Sequence, residues 1–165
     1  MIFNWRDAAL SVLTIWWRLT KPCTVGVRGL VLNDAGEMLL VRHSYGGRNW
    51  FLPGGGHRGA ESPDEALVRE MREETGLEVA VTGLIGVYFY AGGYKRDHIY
   101  IFACQVVGGV VRRTGGEIAD IGWFAPDALP ENLMLGMARI LADWRSGRTG
   151  YGRIMAAGVR AGDEI

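Results

Sequence analysis

The sequence GGHRGAESPDEALVREMREETGL, residues 55–77, carries the local signals of a short helix with two defined ends. Ser62 is a typical N-cap, Pro63 suits the first helical position, and Glu65 completes a capping box with Ser62. Gly76 follows the last periodic residue, where a left-handed C-terminal stop is expected. The stretch therefore predicts a helix that begins after Ser62 and ends at Gly76.

Three carboxylates, those of Glu70, Glu73 and Glu74, lie on one side of this helix. At about 100° per residue they share roughly a quarter of its circumference. Like charges this close repel one another and destabilise a helix unless a cation lies among them. Hard divalent ions prefer oxygen ligands, so the pattern predicts a Mg²⁺ site, with Mn²⁺ as a substitute.

Beside the carboxylates the helix has an apolar arc, which consists of Leu67, Val68 and Met71. We expect this arc to pack the helix against the rest of the domain. The sequence WFLPGGG, residues 50–56, is an apolar strand that runs into three glycines just before the helix. Successive glycines let the backbone approach a ligand closely and leave amides and carbonyls free for phosphate or metal. A glycine loop beside an acidic helix thus predicts a site that holds metal and phosphate together.

Residues 55–77 resemble an unbroken Nudix box, G-x5-E-x7-R-E-U-x-E-E-x-G-U, in which U is apolar. Met71 and Leu77 fill the two apolar places, and the likeness extends over about residues 24–145 through the flanking strands and a later Gly-Trp-Phe run. The resemblance implies a hydrolase that cleaves a phosphoanhydride bond in a nucleoside diphosphate linked to another group. It also implies attack by water that is activated by divalent ions, with no protein nucleophile.

Position by position, the resemblance implies a set of metal ligands: the carboxylates of Glu70, Glu73 and Glu74 and the main-chain carbonyl of Gly54. Arg69 would orient Glu73 through an ion pair, and Glu61 would brace the junction of loop and helix. Family members often add a glutamate from a loop before a late tryptophan. Glu117, six residues ahead of Trp123, is the candidate for metal binding or for the base, with Asp120 as its rival and Glu70 as the alternative base.

Substrate recognition rests on residues near the glycine loop and on a basic segment farther along the chain. The candidates for substrate binding are Arg42, His57, Arg58, Tyr94 and Arg96. The cationic side chains could meet phosphates, and Tyr94, like Tyr88 and Tyr90, could stack on a base.

The composition fits one domain, since 165 residues can bury roughly 70% of their unfolded surface. Lysine plus arginine equals aspartate plus glutamate, 18 each, so no global basic field favours duplex nucleic acid; the expected partner is a small nucleotide. Cys23 and Cys104 lie in apolar contexts and are predicted to be free buried thiols of a cytoplasmic protein.

Residues 2–19 carry apolar side chains near helical spacing: Ile2, Trp5, Ala9, Val12, Leu13, Trp16 and Leu19. The apolar stretch is too short to span a membrane, and no secretory signal is recognisable. We expect an amphipathic helix that packs on the domain or on a second subunit of a homodimer; contact with a membrane surface is the alternative. The predicted division is an N-terminal helix at 1–22, a Nudix domain at 23–145 and a Gly/Arg-rich tail at 146–165.

The rest of the chain is rich in strands. Segments 24–32 and 38–43 flank a turn cluster at 33–36 and predict a hairpin, and further strands are expected at 79–90, 99–106 and 121–124. Residues 130–144 predict a second helix, and the tail from Ser146 has little periodicity and is expected to be an appendage. Helices on both sides of a mixed β-sheet give an α/β/α sandwich, in agreement with the resemblance.

Two other functional classes share these sequence features. One is a Nudix-fold regulator that binds a nucleotide without cleaving it, although such proteins commonly lose the glutamates that this chain keeps. The other is a metal-dependent isomerase that uses the same box without hydrolysis.

Overall fold

The computed structural model describes residues 22–44, 47–92, 95–114 and 116–155, with the backbone alone at positions 91, 92, 95 and 155. In chain order the elements are β1 (Cys23–Val31), β2 (Met38–His43), β3 (Trp50–Phe51), α1 (Pro63–Thr75), β4 (Leu77–Gly92), β5 (Lys95–Gly109), β6 (Ile118–Phe124), α2 (Met137–Ser146) and β7 (Gly150–Met155). The helix predicted at residues 2–19 lies outside the described residues, as does Tyr94.

The strands form two sheets. Four of them make a mixed sheet in the order β1-β5-β4-β7, in which β1 is parallel to β5, β4 antiparallel to β5, and β7 parallel to β4. The other three make a smaller antiparallel sheet in the order β3-β2-β6. The mixed sheet predicted from the sequence is confirmed.

The two helices pack on opposite faces of the mixed sheet. Ile101 of β5 lies in the apolar cluster that contains Ile140 of α2. The next residue, Phe102, lies in the cluster that contains Met71 of α1. Because successive strand residues point to opposite faces, the sheet is covered by one helix on each side, and the predicted α/β/α sandwich is confirmed.

The predicted ends of α1 are confirmed. The Ser62 hydroxyl accepts a hydrogen bond from the Glu65 N–H, the Glu65 carboxylate accepts one from the Ser62 N–H at 2.8 Å, and Gly76 closes the helix with φ 72°. Leu67 and Met71 are fully buried, whereas Val68 is 39% exposed. The predicted apolar arc is therefore wrong at Val68, because that side chain points about 100° away from Leu67.

The hairpin predicted between β1 and β2 is wrong, although its turn is present. The Asn33 side chain accepts hydrogen bonds from the N–H groups of Ala35 and Glu37 at 3.0 and 2.9 Å. The two strands then meet only at an isolated bridge within the described residues and diverge into different sheets. The cause is competition for pairing, since β1 takes β5 on one edge and residues 53–57 on the other.

The second helix begins later than predicted, at Met137 instead of residue 130. Residues 132–134 pair with β3, because the Trp50 N–H donates to the Asn132 carbonyl and the Met134 N–H donates to the Trp50 carbonyl, both at 2.7 Å. Gly136 then has φ 85°, a left-handed conformation that sets the start of the helix. Met137, Ile140 and Leu141 of this helix are buried, and Trp144 is partly buried against the same apolar cluster.

The prediction that the chain beyond Ser146 is an appendage is wrong. Residues 150–155 form β7, which pairs in parallel with β4 and completes the mixed sheet. A β-carbon at Gly150 would collide with the Tyr88 hydroxyl and the Asp143 carboxylate, so this glycine is required for the strand to approach them. Tyr88 is itself a core residue whose hydroxyl donates to Asp143 at 2.7 Å, and it is not available to stack on a base.

Both cysteines are free, as predicted, but only Cys104 is buried, and Cys23 is exposed at the start of β1. In the described part of the chain, no helix has the length and the apolar character needed to cross a membrane.

Candidate active site

The glycine segment before α1 lies along the outer edge of β1. The Gly29 N–H donates to the Pro53 carbonyl and the Val27 N–H donates to the Gly55 carbonyl, both at 2.9 Å. Gly54 has φ 138°, and a β-carbon there would collide with the Val27 carbonyl oxygen. The segment can approach β1 this closely only because residue 54 has no side chain.

Two of the three predicted carboxylates are buried between α1 and this segment. Glu70 is 7% exposed and Glu74 is 8% exposed. The Gly54 N–H donates to the Glu74 carboxylate at 2.8 Å. A β-carbon at Gly55 would lie only 2.5 Å from the carboxyl carbon of Glu70. The glycines therefore make room for the carboxylates as well as for the backbone.

Glu73 is held apart from this pair. Its side chain is 46% exposed and lies 3.1 Å from the guanidinium of Arg58. Arg58 is in turn 3.5 Å from Glu70, so this predicted substrate-binding residue reaches the carboxylate group. The helix thus brings Glu70 and Glu74 together at the glycine segment and leaves Glu73 at the rim.

Arg69 joins the loop to the helix. Its guanidinium donates to Glu61 at 2.7 and 2.9 Å and to Glu70 at 2.6 Å, whereas its distance to Glu73 is 3.4 Å. The Arg69 guanidinium lowers the pKa of the Glu61 carboxyl to about 2. The geometry places Arg69 closer to Glu70 than to the expected partner Glu73, and it places Glu61 at the junction of loop and helix.

Arg28 is a site residue that sequence reasoning missed. Its guanidinium donates to the Gly54 carbonyl at 2.7 Å and to the Leu52 carbonyl at 3.2 Å, and it lies over the ring of Phe51. One sequence signal could have revealed it: an arginine in the middle of the otherwise apolar strand CTVGVRGLV. A charge placed there must find polar partners, because burying it alone is costly.

The pKa of the Glu74 carboxyl is shifted upward, in contrast to that of Glu61. Burial raises the pKa of Glu74 to about 7, the Gly54 N–H and Arg28 oppose that rise, and the charges of Glu70 and Glu117 add to it. His43 lies 4.0 Å from the Glu74 carboxylate, and burial together with Arg28 lowers the pKa of this imidazole. Glu74 therefore keeps its proton more readily than an exposed glutamate, because the nearby donors compensate for its burial only in part.

Glu117 belongs to the loop before β6, and its main-chain carbonyl accepts a hydrogen bond from the Ser44 N–H at 2.8 Å. The charge of Glu117 raises the pKa of both His43 and Glu74, so this loop lies at the edge of the site. Its rival Asp120 lies in an ion pair with Arg42 at 3.1 Å.

The remaining substrate-binding candidates are scattered. Arg42, paired with Asp120, also lies over the ring of Trp50. The His57 ring contacts the Glu61 carbonyl within the loop. Arg96 is exposed and pairs with Cys23 at the start of β1, four residues or about 13 Å along the strand from the Val27 that binds the glycine segment.

The oxygen donors at this site fit a hard divalent cation. The carboxylates of Glu70 and Glu74 are buried beside the glycine segment. The Gly54 carbonyl, which accepts a hydrogen bond from Arg28, belongs to the same segment. Within the described residues, however, no three His, Cys, Asp or Glu side chains already form a cluster that could hold an ion. Glu73 is directed to Arg58 and Arg69, so gathering a third carboxylate requires rotation of the Glu73 side chain.

Comparison with known proteins adds a consistent set of similarities. The family model of the NUDIX domain matches residues 23–144. A MutT-like protein of Streptomyces ambofaciens is 36% identical over 110 residues, which are 67% of this chain and 69% of that protein. An ADP-ribose pyrophosphatase of Methanocaldococcus jannaschii is 32% identical over 137 residues, covering 79% of this chain and 80% of that protein.

The crystal structure of a UDP-X diphosphatase superposes with a TM-score of 0.67 at 27% identity, over 89% of this chain and 74% of that one. The family match begins at the first residue of β1 and ends in the last turn of α2, so it contains every site residue described above.

Proposed function

Because the chain belongs to the NUDIX family and hydrolyses phosphoanhydride bonds, we propose that its substrate is a nucleoside diphosphate linked to a further group. Enzymes of this family use a divalent metal ion and act on small nucleotides. The names of two relatives, an ADP-ribose pyrophosphatase and a UDP-X diphosphatase, support substrates of this class. We take Mg²⁺ as the cofactor, with Mn²⁺ as a substitute, because the donors are all oxygen atoms.

The observation that carries the proposal is the pair of buried carboxylates, Glu70 and Glu74, against the glycine segment. We assign Glu70, Glu73, Glu74 and the carbonyl of Gly54 as the groups that would hold the metal. When bound there, divalent ions would neutralise the diphosphate and activate water for in-line attack on phosphorus.

The other site residues receive supporting roles. Arg69 holds Glu70 in place, since it donates to that carboxylate at 2.6 Å while Glu61 fixes the other end of the guanidinium. Arg58 is exposed beside Glu73 and is suited to bind a phosphate of the substrate. We assign proton abstraction from the attacking water to Glu117, because Glu70 is already held by Arg69 and Asp120 by Arg42.

The proposed catalytic domain is residues 23–145, extended by β7 from the tail. The two free thiols are typical of a protein that functions in the cytoplasm.

The test is a panel of ADP-ribose, UDP-linked compounds and nucleoside triphosphates, incubated with the full chain and Mg²⁺ or Mn²⁺ and analysed by product mass. In water labelled with ¹⁸O, the label would mark the phosphorus that is attacked. We expect Glu74→Gln to lower turnover by roughly 10²–10³-fold or more while the protein stays folded.

Glu78→Gln, on an exposed residue just after α1, is the matched control and should leave turnover unchanged. Near-normal activity of Glu74→Gln would refute the metal assignment. Nucleotide binding without cleavage of any compound would favour the regulator class instead.

A further inference from the structure

One end of the mixed sheet presents a row of side chains that crosses all four strands on the side of α1. Val25 pairs with His98, His98 with Phe89, and Phe89 with Arg153. The neighbouring row contains Val87 of β4, paired with Tyr151 of β7. Partners in register point to the same face of a sheet, so these residues form one surface. We call it the open face, and it comprises Val25, Val87, Phe89, His98, Tyr151 and Arg153.

The open face is accessible and largely apolar. Val25 is 37% exposed and Tyr151 is 83% exposed. A cavity of about 350 Å³ lies over Val87, Phe89, His98, Tyr151, Gly152 and Arg153. The ring of Phe89 is flanked by the His98 ring at 5.1 Å and by the Arg153 guanidinium at 5.2 Å.

Helix α1 packs on the same side of the sheet but farther along the strands. A β-carbon at Gly29 would touch Leu67 and Met71 of α1, and Phe102 shares an apolar cluster with both. Gly29 and Phe102 are register partners, four residues beyond Val25 and His98. Four residues of a strand span about 13 Å, so the open face lies beyond this contact with α1.

The chain itself contains a segment, residues 1–21, that joins β1 at the edge of this face. Cys23 lies two residues before Val25 on the same side of β1, and its Sγ is 3.4 Å from Nδ1 of His98. Pro22 is the first described residue and directly precedes β1. Its carbonyl accepts a hydrogen bond from the Arg96 N–H at 3.1 Å. The described chain therefore begins at the border of the open face, and residues 1–21 precede this point in the sequence.

This segment has the matching apolar side and length. Its apolar positions at helical spacing are Ile2, Trp5, Ala9, Val12, Leu13, Trp16 and Leu19. A helix over residues 2–19 would be about 27 Å long, and four strands span about 14 Å, so it could cross the whole face. The other terminal segment, 156–165, has only Val159 and Ile165 as large apolar residues and is a poorer fit.

We propose that residues 2–19 dock through their apolar side on the open face of their own chain. The contact would connect the N-terminal segment to β7 at the far edge of the sheet and would remove Phe89 and Tyr151 from water. The surface would then serve intramolecular packing, and a second copy of the chain would not be needed to cover it.

Alkylation of Cys23 by iodoacetamide in the full chain tests the proposal, with Cys104, which is buried, as the internal check that the protein is folded. Cys23 is exposed in the described part of the chain, so only docking of residues 2–19 would shield its thiol. We expect the double substitution Leu13→Asp/Trp16→Asp to remove this shielding and to accelerate alkylation of Cys23 by about tenfold or more. Phe89→Asp, on the other side of the contact, should have the same effect. Ser11→Asp, on the opposite side of the helix, is the control and should leave the rate unchanged.

Equal alkylation rates in the unchanged protein and all three variants would overturn the proposal. So would protection of Cys23 that disappears on dilution together with a halving of the mass measured by light scattering, because a second copy would then cover the face. Protection that is independent of concentration in a monomer is the supporting result. Cleavage of nucleotides enters none of these readouts, so the test stands apart from the proposed activity.

Discussion

Replacing Gly55 by alanine tests how closely the proposed metal-binding carboxylates depend on the glycine segment. A β-carbon at this position would lie 2.5 Å from the carboxyl carbon of Glu70, whereas ordinary van der Waals contact begins at 3.4 Å. The carboxylate must therefore retreat by about 0.9 Å. It is not free to do so at no cost, because Glu70 is buried and Arg69 holds it at 2.6 Å.

A misplacement of about 1 Å in a catalytic group can cost roughly 10²-fold in rate, so we expect Gly55→Ala to lower kcat by about that factor. Strain in a packed site adds a loss of about 1–3 kcal/mol in the free energy of unfolding. The assays are turnover of whichever nucleotide the panel identifies and urea unfolding of the same samples.

Gly56→Ala is the matched control, because a β-carbon there meets no atom within 4 Å. Both variants lose one glycine from the same segment, so a general loss of backbone freedom affects them alike. If Gly55→Ala retains the turnover of Gly56→Ala within about twofold, the inference that Glu70 must keep its position against the loop is wrong.

Two further predictions concern stability. The pKa of Asp143 is lowered in the folded protein, mainly by the hydrogen bond from Arg139 and next by that from the Tyr88 hydroxyl. The Asp143 carboxylate therefore stabilises the fold above its unfolded pKa, and this stabilisation is lost as the pH falls through its lower folded pKa. Asp143→Asn should flatten this acid limb in urea midpoints measured against pH, whereas Asp127→Asn, on an exposed residue, should not. Arg28→Met should lower the free energy of unfolding by about 1–3 kcal/mol, because the carbonyls of the glycine segment lose a charged donor; an unchanged urea midpoint would contradict this.

Helix α1 could be predicted from sequence because its signals are local. Ser62, Glu65 and Gly76 act within a few residues of the helix ends, and the capping hydrogen bonds form as the pattern indicates. The burial of Glu70 and Glu74 follows from the same helix, once one of its sides is docked on the sheet. Glu73 could not be placed in this way, because its direction depends on Arg58 in a loop fifteen positions earlier.

The features that sequence reasoning missed depend on contacts between distant segments. Arg28 gains its role only when the glycine segment lies along the edge of β1. Three of the six residues of β7, two glycines and an arginine, favour turns or surfaces, yet parallel pairing with β4 and the small size of Gly150 bring this strand into the sheet. Residues 132–134 extend instead of continuing a helix because Trp50 offers them a backbone partner. Such competition between pairings leaves little trace in local periodicity.

The burial of Glu70 and Glu74, which the proposed metal site requires, lowers the stability of the fold when no cation is bound. Glu70 and Glu74 are buried in the folded protein, and for Glu74 the Gly54 N–H and Arg28 compensate for the lost hydration only in part. A cation that binds among them in the folded state alone should stabilise the fold by about 2.7 kcal/mol when its concentration is one hundred times its Kd. We therefore expect Mg²⁺ to raise the thermal midpoint of the unchanged protein, and EDTA to reverse the rise. Glu74→Gln should lose most of this rise while its midpoint without Mg²⁺ stays equal or increases, because a neutral amide costs less to bury than a carboxylate. An equal Mg²⁺-dependent rise in both proteins would show that the ion binds elsewhere, and the assignment of Glu74 as a ligand would fail.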